Sequence, residues 1–185
     1  NGDGVGHFSD DEFVEIVNRS GAAKDMSNWT LSDGVGLRHT FPAGTIVSDG
    51  CAVVVFGGGN PIGDFGGAIV MVSSSGSLGL NNSGDTISIA DVSGQLQLYA
   101  DYTSAGNNQS INLSPDVYGE DYYDHSTLAP DGSLFSPGTD VYGQGFGDCG
   151  SGLPDSDGDG IADDYDNCYL PNPDQNDCNG NDIGD

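Results

Sequence analysis

Positive charge is what this 185-residue chain has least of: three Lys and Arg stand against 29 Asp and Glu, a formal net charge of −26. So acidic a surface repels nucleic-acid phosphates and anionic membranes, which argues against direct nucleic-acid binding. Long apolar runs are missing, so no segment is expected to insert into a membrane. No signal peptide is visible, and since a secreted protein would already have lost it, that excludes nothing. No window carries a helical repeat, and 31 glycines oppose helices. Cysteine is sparse: Cys51, Cys149, Cys168 and Cys178 contain no CxxC pair, which disfavours redox catalysis and a cysteine zinc site.

Catalytic constellations are also missing. A metallohydrolase needs several His and acid ligands converging on one point, and His7, His39 and His125 are scattered. No GxSxG nucleophile elbow occurs. The glycine run Gly57–Asn60 lacks the Lys-Ser/Thr ending of a phosphate loop and reads as a turn. The chain is therefore not expected to be an enzyme.

What is present is a series of strand-sized apolar runs separated by Gly, Asn, Asp and Ser. Phe13 to Val17 is one, Trp29 and Leu31 mark another, and His39 and Phe41 lead to Ile46. CAVVVF, Cys51 to Phe56, is continuous enough for a strand buried on both faces, and GAIVMV, Gly67 to Val72, has the same character. Thr86 to Ile89 alternates after the turn NNSGD, and Leu96, Leu98 and Tyr99 follow the turn DVSG. Many short strands with close turns imply an all-β sandwich or barrel. Trp29 is expected as a core anchor between sheets. Glu12 or Glu15 is expected to pair with Arg19, Lys24 or Arg38, or to hold a peripheral cation. Asp33, Asp85 and Asp116, beside Gly, Ser or Pro, read as turn caps. The aromatic stretch from Tyr118 to Phe146, with Tyr122, Tyr123, Phe135 and Tyr142, has two readings: packing of a long loop onto the sandwich, or exposed rings that grip carbohydrate or protein.

The main domain is expected from Asp11 to about Gly150, so the chain divides into residues 1–150 and a small acidic unit, 151–185. Four cysteines allow three pairings. Cys51–Cys149 with Cys168–Cys178 is favoured, because the first ties the start of a central strand to the end of the domain and the second closes a short acidic loop. The alternative leaves Cys51 a buried thiol and Cys149 free.

The acidic unit carries the sharpest motif. In DSDGDGIADDYD, Asp155, Asp157, Asp159, Asp163 and Asp166 fall at positions 1, 3, 5, 9 and 12 of a calcium loop. Gly160 stands at the sharp turn, and Ile161 at the position whose carbonyl is a ligand. A second loop follows: Asp177, Asn179, Asn181 and Asp185 repeat the spacing, with Ile183 at the carbonyl position. Asp182 replaces the turn glycine there, and the sequence stops before position 12, as a fragment of a longer chain would. At the other end, NGDGVGHFSDDE fits the back half of a calcium loop, with Asn1, Asp3, the Val5 carbonyl, His7 and Asp10 in ligand places. A flexible end is the equal alternative. Calcium is the one cofactor expected.

Two resemblances follow. DxDxDGxxDxxDNC, then PNPDQ, then a second acidic loop, resembles a thrombospondin type 3 repeat over residues 155–185. That family implies a calcium-wrapped, irregular extracellular module pinned by disulfides. DEFVEIVN, MSNWTLSDG, FPAGTIVSDGCAVVVF and LGLNNSGDTISIAD resemble the lamin-tail domain, an immunoglobulin-like β-sandwich. QSINLSPD and HSTLAPDGSLFSPGTDVYG extend the likeness to its bacterial extracellular branch, over most of residues 11–143. No coiled-coil heptad or basic localisation run accompanies it, so no nuclear setting follows. The resemblances imply a non-catalytic, calcium-binding structural or interaction module of a secreted or cell-surface bacterial protein. Its expected partners are other domains of a longer parent chain and a cell-surface glycan or protein. The alternatives are a glycan- or protein-binding adhesion domain, or an accessory domain of a secreted nuclease or phosphoesterase.

Overall fold

β-Branched residues at strand period set the framework. In the computed structural model, which describes residues 1–147 and Cys149, FVEIV forms β1 (Phe13–Val17) and AVVVF forms β6 (Ala52–Phe56). These pair antiparallel, Glu15 opposite Val54, and β6 pairs in parallel with β7 (Ile69–Val72). The order of this sheet is β1-β6-β7. The facing sheet has the order β4-β3-β8-β9, built from β3 (Thr30–Asp33), β4 (Leu37–Thr40), β8 (Asp85–Ala90) and β9 (Leu96–Tyr102). Two short pairs complete the strands among the described residues: β2 (Lys24–Asp25) with β5 (Ile46–Val47), and β10 (Ile111–Ser114) with β11 (Asp121–Asp124). One four-residue helical turn, α1 (His125–Leu128), is the only helix among the described residues. This is an all-β architecture consistent with an immunoglobulin-like sandwich.

The core lies between the two larger sheets. Val53 and Val55 of β6 meet Leu31 of β3, Val47 of β5, Ile87 and Ile89 of β8, and Phe41 and Leu78 from the connections. Burying each such side chain contributes roughly 1.5–3 kcal/mol. In β8, Ile87 and Ile89 turn inward while Thr86 and Ser88 lie at the other face, as the alternation requires. The turns expected at NNSGD and DVSG close with Gly84 N–H donating to the Asn81 carbonyl and Gly94 N–H to that of Asp91.

β6 is buried on both faces, as its unbroken apolar run implies. The second face has its own cover. Phe13 and Phe56 rings meet at 5.8 Å, Phe56 and Phe65 at 5.5 Å, and the chain beyond β9 folds back over them. A side chain at Gly138 would fall 2.0 Å from the Phe65 carbonyl oxygen, so this return segment packs backbone against backbone.

Two expectations change. β7 is not buried on both faces: Ile69, Val70 and Met71 are half-buried and Val72 is exposed, because it is the outer strand of its sheet. Trp29 packs against the core from its rim and stays partly exposed. It sits in the turn before β3, where its N–H donates to the Met26 carbonyl, rather than between the sheets. The glycine run is a turn, with a specific reason for glycine: a Cβ on Gly57 would meet the Ser9 carbonyl oxygen at 1.9 Å. The N-terminal segment lies across this turn, and Ile62 N–H donates to the Asn1 carbonyl.

Candidate functional site

The pairing Cys51–Cys149 is present, spanning 98 residues with a Cα–Cα distance of 5.4 Å. It fastens the end of the return segment to the start of β6. Asp155 to Asp166, Asp177 to Asp185 and the Cys168–Cys178 pairing lie outside the described residues.

Of the sequence-derived metal ligands, Asn1, Asp3, Val5 and Asp10 are described. Asn1 Oδ1 accepts from Asp3 N–H and Asp3 Oδ1 from Val5 N–H, two successive side-chain-capped turns. Asp10 Oδ1 lies 3.3 Å from His7 Nδ1. Asn1 and Asp3 border Gly59, and Asp10 borders Gly58. Among the described residues, no group of three or more His, Cys, Asp or Glu is gathered as a metal site.

Glu12, just before β1, and Glu15 within it behave differently from the pairing expected of them. Glu12 Oε2 accepts from the Gly79 and Leu80 N–H groups instead of forming an ion pair. Burial pushes the Glu12 carboxyl up, against those hydrogen bonds and the nearby Arg38. Glu15 lies under the return segment, on the face of β1 away from the core. Its Oε2 accepts from Gly138 N–H at 3.1 Å, and its buried Oε1 has no partner. Desolvation pushes its pKa up to about 8. Arg38 pairs with Asp33, whose side chain is closed to solvent and also caps Val35 and Gly36. Asp33, Asp85 and Asp116 all accept backbone N–H groups, in keeping with their reading as caps.

His39 is buried edge-on against Phe41, and its Nδ1 accepts from Ser74 N–H at 3.1 Å. His125 forms a network that the sequence did not signal. Its Nδ1 lies 2.9 Å from Asn112 Oδ1 and its Nε2 3.2 Å from Ser133 Oγ. The order Ser–His–Asn resembles a nucleophile, base and orienter. The imidazole, however, is 0% exposed, so no substrate reaches it. Burial lowers both histidine pKa values, holding the rings neutral.

A groove of about 470 Å³ opens between the end of β1 and two turns of the return segment. Val17 and Arg19 form one wall; Asp116, Val117 and Tyr118, then Asp140, Tyr142 and Phe146, form the others. The Arg19 guanidinium lies 3.7 Å from the Tyr118 ring centroid and donates to the Val117 carbonyl. Val117 has φ +64°, a left-handed conformation that a β-branched residue adopts only when its surroundings impose it. Asp116 Oδ2 accepts from Val141 N–H, and Asp140 Oδ1 accepts from Tyr142 and Gln144 N–H. Tyr118 and Tyr142 are 71% and 68% exposed. The aromatic stretch thus divides: Tyr122 and Phe146 are half-buried, while Tyr118, Tyr123, Phe135 and Tyr142 face solvent. The aromatic composition signalled this region, but Arg19 joins it only through long-range folding.

No helix among the described residues is long and apolar enough to cross a membrane. No curated protein matches the chain. A family model described as Lamin Tail Domain matches residues 1–106. The match ends just beyond β9, so the likeness expected over 107–143 rests on sequence resemblance alone. The matched region holds both main sheets and more than half the chain, which therefore belongs to the Lamin Tail Domain family, a structural or interaction module.

Proposed function

We propose that the chain is a calcium-ordered, non-catalytic interaction module of a secreted or cell-surface protein. Residues 1–150 would be its lamin-tail domain and 151–185 its thrombospondin type 3-like calcium unit. The Cys51–Cys149 disulfide carries this reading. Such bridges persist in oxidising, extracellular settings, where calcium is abundant enough for modules of modest affinity. It also fastens Cys149, six positions before Asp155, to the start of β6. Asp155, Asp157, Asp159, Asp163, Asp166 and the Ile161 carbonyl would supply the oxygen shell of the first ion. Asp177, Asn179, Asn181, Asp185 and the Ile183 carbonyl would form a weaker second one, since Asn brings no charge.

Calorimetric titration of the metal-stripped chain tests this reading. Saturable calcium binding is expected, lost when Asp157 and Asp159 are both replaced by Ala. No binding, or binding indifferent to those changes, would overturn it. The exposure of Tyr118 and Tyr142 favours a second role in adhesion to a glycan or protein. A role beside a nuclease or phosphoesterase would have to operate through another domain, because the net charge of −26 opposes a direct grip on nucleic acid.

A further inference from the structure

We propose that the groove between β1 and the return segment binds a neutral oligosaccharide. This rests on the reading of the chain as an interaction module, but not on calcium. Its volume, about 470 Å³, lies within the range of small-ligand sites. Three features of its lining match a polyhydroxylated ligand with apolar ring faces.

First, Tyr118 and Tyr142 present broad apolar rings to solvent at the same groove, and a tyrosine joins such a ring to a polar tip. Tyr118 is held in place by the Arg19 guanidinium stacked on it, so part of the ordering cost of binding is met in advance.

Second, each carboxylate is half used. Asp116 Oδ2 and Asp140 Oδ1 accept backbone N–H groups, which fix the two side chains. Among the described residues no donor reaches Asp116 Oδ1 or Asp140 Oδ2. A pre-oriented carboxylate oxygen is a strong acceptor for a sugar hydroxyl. Arg19 has no ion-pair partner among the described residues, and a guanidinium carries five N–H donors, so donors remain for hydroxyl or ring oxygens.

Third, the charge disfavours an anionic ligand. Two carboxylates and one guanidinium line the groove, on a chain of net charge −26. A uronate or sulfated sugar would meet repulsion at long range from the net charge of the chain.

The test uses the full chain and three probe sets: neutral hexose and N-acetylhexosamine oligosaccharides, their uronate-bearing counterparts, and proline-rich peptides. Saturation-transfer NMR screens for binding, and calorimetry measures it with calcium and with chelator. Binding of a neutral oligosaccharide is expected in both conditions. Tyr142→Ala and Arg19→Gln should each weaken it by about tenfold or more. Tyr142 is exposed, so its truncation spares the fold, and an unchanged melting curve verifies that. Tyr123→Ala, outside the groove, should leave binding unchanged. The proposal is overturned by no binding to any neutral oligosaccharide, by preference for uronates or peptides, or by equal loss in Tyr123→Ala. Calcium titration of Tyr142→Ala separates the two readings: saccharide binding should weaken while the calcium heat remains.

Discussion

Glu15 is a carboxyl group placed where a carboxylate is disfavoured. The return segment removes it from water and offers one N–H, from Gly138, for two oxygens. Its pKa of about 8 lies above the ordinary glutamate value of 4.5, so between those pH values the folded chain binds more protons than the unfolded one. Its contribution to stability is therefore complete below pH 4.5 and is lost as pH rises towards 8. The buried histidines act with the opposite sign. Burial lowers their pKa below the ordinary histidine value of 6.5, so their contribution is complete above that pH and falls as pH drops below it. From pH 8 to 6.5 Glu15 dominates, and chemical-denaturation stability should rise as pH falls. Glu15→Gln keeps the shape and an acceptor for Gly138, and it should raise stability near pH 8 by roughly a few kcal/mol. A variant that retained the wild-type slope between pH 8 and 6.5 would show that another group sets it.

Two devices hold the elements in place. The first is the close approach of residues 1–11 to the turn after β6. Gly57→Ala puts a Cβ 1.9 Å from the Ser9 carbonyl, so the N-terminal segment must lift. The core strands are untouched, so the expected result is faster proteolysis before Phe13 with a folded sandwich, at a cost of about 1–3 kcal/mol. The second is the disulfide between β6 and the return segment, which closes a loop across 98 residues. Reduction, or Cys51→Ser with Cys149→Ser, should lower stability by about 2–5 kcal/mol. Denaturant unfolding under oxidising and reducing conditions measures this, and coincident curves would show that the bridge constrains nothing.

At the scale of the whole molecule, like charge opposes compactness: a net charge of −26 is distributed over 185 residues. Salt should stabilise the chain by screening, and calcium should do so beyond its ionic strength if the acidic loops bind it. On adding calcium to the stripped protein, amide signals of residues 155–185 should change while most of those from 13 to 143 stay in place. Equal responses to calcium and to sodium chloride of matched ionic strength would reduce the effect to screening.

The sequence alone determined the all-β class, the positions of β1, β6 and β8, and the tight turns. These depend on local period, β-branching and turn chemistry, which span only a few residues. It also carried the lamin-tail signature that the family match over 1–106 bears out, and it favoured the Cys51–Cys149 pairing among the alternatives open to it. Only the tertiary structure decided that β7 is an outer strand, that Trp29 sits at the rim and that Glu15 lies buried under Gly138. Only it brought Arg19 to Tyr118, 99 positions along the chain, and set both beside Asp140 and Tyr142. Which residues share a groove depends on how the segment after β9 returns across the outer face of β1 and β6. That path is set by packing between residues far apart in sequence, which no local pattern encodes.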